Sequence, residues 1–164
     1  MRSDSGMDLR AGNEGEALWI LGGLYTFRAL GADTGNAYTL FEVLGPAGLA
    51  APVHLHVGET EGFYVIEGDV TFLIGDERIR AAAGDFAFAP VGVSHAFRFE
   101  SPEARVLVLC TPGGAGHEGL FRAIGEPATA REIPPPPDAP PDLDRLARLA
   151  AQHGTTILGP PPEA

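Results

Sequence analysis

Apolar residues along this chain recur mostly at every second position, in short runs cut by glycine and proline. Residues 17–21 (ALWIL) and 24–29 (LYTFRA) flank Gly22-Gly23, and 37–44 (AYTLFEVL) ends at Gly45-Pro46. Then come 53–57 (VHLHV), 62–67 (GFYVIE), 70–74 (VTFLI), 77–81 (ERIRA), 85–89 (DFAFA), 95–100 (HAFRFE) and 104–111 (ARVLVLCT). Period two in segments rich in Val, Ile, Phe and Tyr predicts strands, because successive side chains of an extended chain point to opposite faces. Many short strands with no helical period between them predict a small antiparallel barrel or sandwich, not alternating βα units.

The pattern changes after Thr111. Pro112-Gly113-Gly114 breaks the sheet, and 117–125 (HEGLFRAIG) predicts a short helix that buries Leu120, Phe121 and Ile124. Seven prolines within 127–141 predict a stiff, extended connector. In 142–153 (DLDRLARLAAQH), Leu143, Leu146, Leu149 and Ala150 share one helical face, with Asp142 as N-cap and Gly154 as the stop. A helix of about twelve residues is marginal alone, so this face is expected to dock on the barrel or on a partner subunit. Residues 1–15, polar and Gly-rich, read as a flexible arm. The chain then divides into that arm, a barrel over 16–114 and a C-terminal extension over 115–164.

Composition narrows the functions. At 164 residues with 45 % hydrophobic side chains the chain is about one globular domain, not a disordered polymer. Its net charge of −11 repels phosphate backbones and anionic lipid, which argues against nucleic-acid and membrane-surface roles. No run approaches the ~18 apolar residues of a membrane span. Cys110, the single cysteine, cannot form an internal disulfide and sits mid-strand like a small core filler. With no leader-like apolar run in residues 1–15, a cytoplasmic setting is expected.

Three histidines lie in the strand-rich region. His54 and His56 are two apart in one predicted strand, so both rings point to the same face. Glu61 opens the next strand and His95 begins a later one. If these faces turn inward, three imidazoles and a carboxylate meet among Phe63, Val65, Phe72, Phe86, Phe88 and Phe97. Burying so many polar groups is costly without a partner, and a divalent cation is the economical one. From the residues alone, a hydrogen-bonded polar cluster stays open as the alternative. The other singled-out residues read more plainly. His117 and His153 are expected at the surface or at helix ends, Arg78 and Arg80 on a solvated strand face, and Trp19 and Tyr25 in the core or a dimer seam.

Here the chain resembles a known family. Gly48, five residues, His54-Leu55-His56, four residues, Glu61, six residues and Gly68 match the first cupin motif. Gly84, five residues, Pro90-Val91-Gly92, two residues and His95 match the second, with Phe99 where Asn is usual. Fifteen residues separate the motifs, and the segments GEALWILG, TPGG and LARLAAQHGTTILGPP resemble single-domain bacterial cupins of the quercetin 2,3-dioxygenase-like kind.

The resemblance implies an all-β fold, a small cupin barrel (double-stranded β-helix or jelly roll) with short C-terminal helices. It implies one divalent transition-metal ion (Ni, Fe, Mn, Co, Cu or Zn) held by His54, His56, Glu61 and His95, with Phe99 making the cavity floor more apolar. The implied activity is a metal-dependent dioxygenase acting on a flavonol-like or other small aromatic substrate, with dioxygen as co-substrate. Glu61 would serve as catalytic base or hydrogen-bond partner, its pKa raised by the Phe63 and Phe97 walls. A homodimer is expected on resemblance alone. Two further readings are a cyclase, isomerase or dehydratase that consumes no dioxygen, and a non-catalytic small-molecule or metal binder.

Overall fold

Twelve strands and three helices form among the described residues, which cover 9–114 and 116–164 of this computed structural model. Ten strands follow the predicted runs to within two residues: β1 Ala17–Ile20, β2 Gly23–Ala29, β3 Thr39–Pro46, β4 Val53–His56, β5 Thr60–Glu67, β6 Asp69–Ile74, β7 Glu77–Ala82, β8 Phe86–Ala89, β9 His95–Phe99 and β10 Glu103–Thr111. A single helical turn, α1 Gly31–Thr34, occupies what reads in sequence as a plain turn; the Leu30 amide donates to Asp33 Oδ2 at 3.0 Å and starts it. After β10 come α2 Gly116–Ile124, β11 Glu126–Pro127, α3 Leu143–Gln152 and β12 Thr155–Gly159.

The strands make two antiparallel sheets. One has seven strands in the order β11-β1-β2-β3-β10-β5-β8, the other five in the order β12-β4-β9-β6-β7. Alternation along β10 shows how each sheet turns one face to the core. Ala104, Val106, Val108 and Cys110 are buried, while Leu109 is exposed and Arg105 and Leu107 are only partly covered. Phe27, Phe41, Phe63, Phe72 and Phe99 fill the space between the sheets. The all-β barrel with short C-terminal helices is therefore the fold this chain adopts.

Local chemistry sets the joints. Gly68, between β5 and β6, has φ +82°, and a Cβ there would lie 2.7 Å from the Glu103 carbonyl oxygen and 2.8 Å from Ala104 Cβ. Only glycine fits both the left-handed backbone and the close approach of β10. Asp142 caps α3 as its sequence predicts, its carboxylate accepting from the Arg145 amide at 2.9 Å. Gly154 at φ +75° ends the helix and turns the chain into β12, which pairs with β4.

Residues 1–8 of the expected arm lie outside the described residues. From Arg10 onward the chain is tied to the barrel: the Arg10 guanidinium donates to the Arg28 carbonyl, and Arg28 donates to those of Gly12 and Glu14. The proline-rich connector also runs along the barrel, since Trp19 Nε1 donates to the Glu132 carbonyl at 3.1 Å and Arg131 donates to that of Gly15 at 2.6 Å. Arg78 and Arg80 are exposed on β7.

Candidate metal centre

The two sheets contribute different halves of one cluster. β4 carries His54 and His56, and β9, paired with it through His54 and His95, brings the third ring. Glu61 comes from β5 in the opposite sheet, where it stands beside Cys110 of β10 and Ala89 of β8. Each of His54, His56, Glu61 and His95 offers one ligand atom, and these atoms all lie within 4.8 Å of one another. His56, Glu61 and His95 are buried.

Hydrogen bonding fixes which ring nitrogen faces the centre. His54 Nδ1 donates to the Pro52 carbonyl at 2.6 Å and His95 Nδ1 to the Val93 carbonyl at 2.9 Å. Thr155 Oγ1, on β12, lies 3.0 Å from His56 Nδ1 and can accept its proton. With the Nδ1 protons so committed, the neutral rings keep bare Nε2 lone pairs. Two of these face a carboxylate oxygen: Glu61 Oε2 is 3.1 Å from His56 Nε2 and 2.8 Å from His95 Nε2. Acceptor against acceptor in a buried site is repulsive unless a proton or a cation stands between them. The donor set, three imidazole nitrogens and one carboxylate, suits a first-row divalent transition metal. These residues fit a metal ion.

A further ring stands behind the carboxylate. His117 of α2 places Nε2 3.2 Å from Glu61 Oε1 and donates from Nδ1 to Glu59 Oε2 at 2.6 Å. With protons rather than an ion between Glu61 and its rings, burial opposes the charge on Glu61, but the His117 charge, with hydrogen bonds from His117, His56 and His95, outweighs it and holds this carboxyl well below its usual range. The expectation of a raised Glu61 pKa is thereby corrected: the apolar walls exist, yet the imidazoles behind and before the carboxylate win. Burial, helped by the neighbouring His95, pushes His54 down to about 3, so that ring stays neutral. His95 is raised; burial works against it, and the bond to Glu61 and that carboxylate's charge prevail.

The cupin domain family matches residues 40–112. Quercetin 2,3-dioxygenase of Bacillus subtilis (strain 168) is 32 % identical over 92 % of this chain and 44 % of its own length. The enzyme of the same name from Aspergillus japonicus is 31 % identical over 65 % of this chain and 32 % of its own. This chain carries a cupin domain. It spans less than half the length of either relative. Among solved structures, KdgF from Halomonas sp. superposes with a TM-score of 0.59 at 20 % identity, over 65 % of this chain and 94 % of that one, a likeness of fold.

Within the cupin domain the cluster opens on a cavity of about 80 Å³. Phe63 and Phe97 line it with Tyr25, Phe41 and Phe121, while Leu146 and Ala150 of α3 lie at its wall. Val65, Phe72 and Phe99 are buried in the core and do not reach the cavity. Phe86 and Phe88 are corrected: they are 64 % and 49 % exposed on the outer face of β8. Ala87 and Ala89 point inward instead, opposite Phe63 and Glu61, where a second large side chain has no room. The ring of Phe86 lies over Gly62, whose missing Cβ leaves that space.

His117 does lie at a helix end, in the first turn of α2, but it is 4 % exposed and not a surface residue. The sequence did carry a signal for it. Leu120, Phe121 and Ile124 mark the inward stripe of α2, and His117 lies three and four residues before the first two, on that same stripe. No comparable signal marks Glu59, which sits in the turn before β5, or Thr155. Cys110 is a buried thiol whose pKa burial pushes up to about 12, which keeps it protonated and inert as a nucleophile. Tyr25 belongs to the cavity wall and core, stacked on Phe41. His153 closes the C-terminal end of α3.

Proposed function

We propose that this protein is a metal-dependent dioxygenase for a small planar aromatic substrate of flavonol type, with one divalent transition-metal ion held by His54, His56, Glu61 and His95. One observation carries the reading: the Nε2 atoms of His56 and His95, whose rings are held from the far side by Thr155 Oγ1 and the Val93 carbonyl, converge on a single carboxylate oxygen at an aromatic cavity. The relatives named quercetin 2,3-dioxygenase support the choice of substrate class.

An ion bound there supplies Lewis acidity and a template for substrate and dioxygen. The protein supplies the rest. Phe63 and Phe97 offer flat apolar walls for an aromatic ring and exclude water. Glu61 Oε2 accepts a hydrogen bond from the substrate hydroxyl. The cavity of about 80 Å³ is well below the roughly 300–1,000 Å³ of sites for drug-sized ligands. A flavonol therefore requires the cavity to widen, and Leu146 and Ala150 of α3 are among the residues at its wall.

The test is direct. Protein loaded in turn with Ni²⁺, Mn²⁺, Fe²⁺ and Co²⁺ is given quercetin under air, and flavonol absorbance, oxygen uptake and carbon monoxide are followed. Loss of absorbance with matched oxygen uptake and carbon monoxide release is expected for at least one ion. Substrate turnover without oxygen uptake would move the reading to a cyclase or isomerase. Binding with no turnover would leave a small-molecule binder.

A further inference from the structure

We propose that His117 is a positioning residue for the metal centre: by holding Glu61 Oε1 from α2, it presents Oε2 alone to the ion. The proposal rests on the metal centre of the preceding reading and not on the dioxygenase activity.

The two oxygens of Glu61 have separate partners. Oε2 faces His56 and His95, whereas Oε1 lies 3.2 Å from His117 Nε2. A glutamate's last torsion is broad, so a carboxylate held at one oxygen can rotate or offer both. A second contact at Oε1, the 3.2 Å ion pair with His117, limits that freedom. His117 can do this because it is itself anchored: Nδ1 donates to Glu59 Oε2 at 2.6 Å, and its ring stands edge-on to Phe121 at 5.4 Å. Glu59 is buried at 5 % exposure, in a place where an unpaired carboxylate would be costly. Packing alone does not account for this arrangement. A leucine on the α2 stripe would fill the space without requiring a second buried acid to satisfy it. The chain Glu59, His117, Glu61 is a carboxylate–imidazole–carboxylate relay of position, and its middle member comes from outside the two cupin motifs.

Removing an outer-shell partner of this kind lowers metal affinity by about 10–100-fold. Co²⁺ is the probe, with affinity from isothermal titration and ligand geometry from the d–d absorption of the loaded protein. His117→Phe and His117→Asn are expected to weaken Co²⁺ by about that factor and to change the band intensities. His117→Gln, whose amide N–H reaches the place of Nε2 and still donates to Glu61, is expected to recover most of the affinity and the native spectrum. Unchanged affinity and spectrum in His117→Phe would overturn the proposal, as would a Gln variant no better than Phe. A wild-type protein that binds no Co²⁺ would instead sink the metal centre itself.

A second measurement needs no variant. If detaching His117 weakens the ion, then by reciprocity the ion must oppose detachment by the same factor. Amide exchange in α2 of the wild-type protein is expected to slow by about 10–100-fold when Co²⁺ saturates the site, for exchange through openings that release His117. Identical α2 exchange with and without Co²⁺ would overturn the proposal even if every His117 variant failed to fold.

Discussion

Replacing Glu61 with Gln is the sharpest single perturbation of the proposed centre. Gln keeps the shape, so the barrel should fold, but the only anionic member of the cluster becomes neutral. Its amide can also turn an N–H toward the His56 and His95 Nε2 atoms, 3.1 and 2.8 Å from Glu61 Oε2, and satisfy them without a cation. Both effects act against the ion. An ion that binds only the folded chain stabilises it by about 2.7 kcal/mol at a hundred times its Kd. For a chain of this length that is an upshift in Tm of about 5–11 °C, at about 2–4 °C per kcal/mol. If the substitution weakens binding about a hundredfold, the same ion concentration is only about equal to Kd, and the stabilisation falls to about 0.4 kcal/mol, or about 1–2 °C. Scanning calorimetry of both proteins, stripped and then loaded, reads the difference. Equal upshifts in wild type and Glu61→Gln would refute the reasoning, since the carboxylate would then contribute nothing to holding the ion.

Three other outcomes follow from the same coordinates. Thr155→Val deletes the hydroxyl 3.0 Å from His56 Nδ1 and should weaken metal binding by about 10–100-fold in a titration, with far-ultraviolet circular dichroism unchanged. Phe41→Ala empties a site 2 % exposed that touches Tyr25, Phe27, Phe121 and His117, and should cost about 3–5 kcal/mol in urea unfolding; a loss under 1 kcal/mol would contradict that packing. Glu16 has its pKa lowered from 4.5, chiefly by the hydrogen bond from Arg122, so its contribution to stability is present above 4.5 and lost as pH falls through the depressed folded value. The gap in stability between wild type and Glu16→Gln should therefore be constant near neutrality and close on acidification, and a gap that widened in acid would reverse the sign argued here.

Much of this was legible in the chain. Ten strands are legible as short apolar runs between turns; alternation shows in the burial of β1, β3, β8 and β10, whereas β2 is buried on both faces over Gly23–Phe27, and the α3 cap follows from Asp142 and its place before the Leu stripe. Alternation does not, however, say which face is inward. In β8 the sequence reads Phe-Ala-Phe-Ala, and apolar weight alone turns the phenylalanines to the core. What decides the matter is the neighbour: Phe63 already occupies the interior opposite Ala87, and Glu61 stands opposite Ala89. A volume limit set by another strand is not written in the strand that obeys it. β12 was missed for a related reason, since TTILG follows a helix stop with no alternation of its own and becomes a strand by pairing with β4.

The candidate site divides along the same line. His54, His56, Glu61 and His95 stand out because they sit at fixed spacings on three strands, β4, β5 and β9, so the inner shell leaves a regular trace in sequence. The groups that orient that shell obey no such spacing. Pro52 and Val93 act through backbone carbonyls, which any residue could offer, and Thr155 and His117 arrive from the C-terminal extension, 99 and 56 positions beyond the residues they touch. That separation hides the balance at Glu61 from the local sequence, since apolar walls nearby raise a carboxyl, while the distant His117 lowers it. Motif spacing can therefore identify a set of ligands. On the proposed reading, how tightly they hold an ion depends in part on Thr155 and His117 of the C-terminal extension, and two cupins with identical motifs but different extensions should differ in metal affinity.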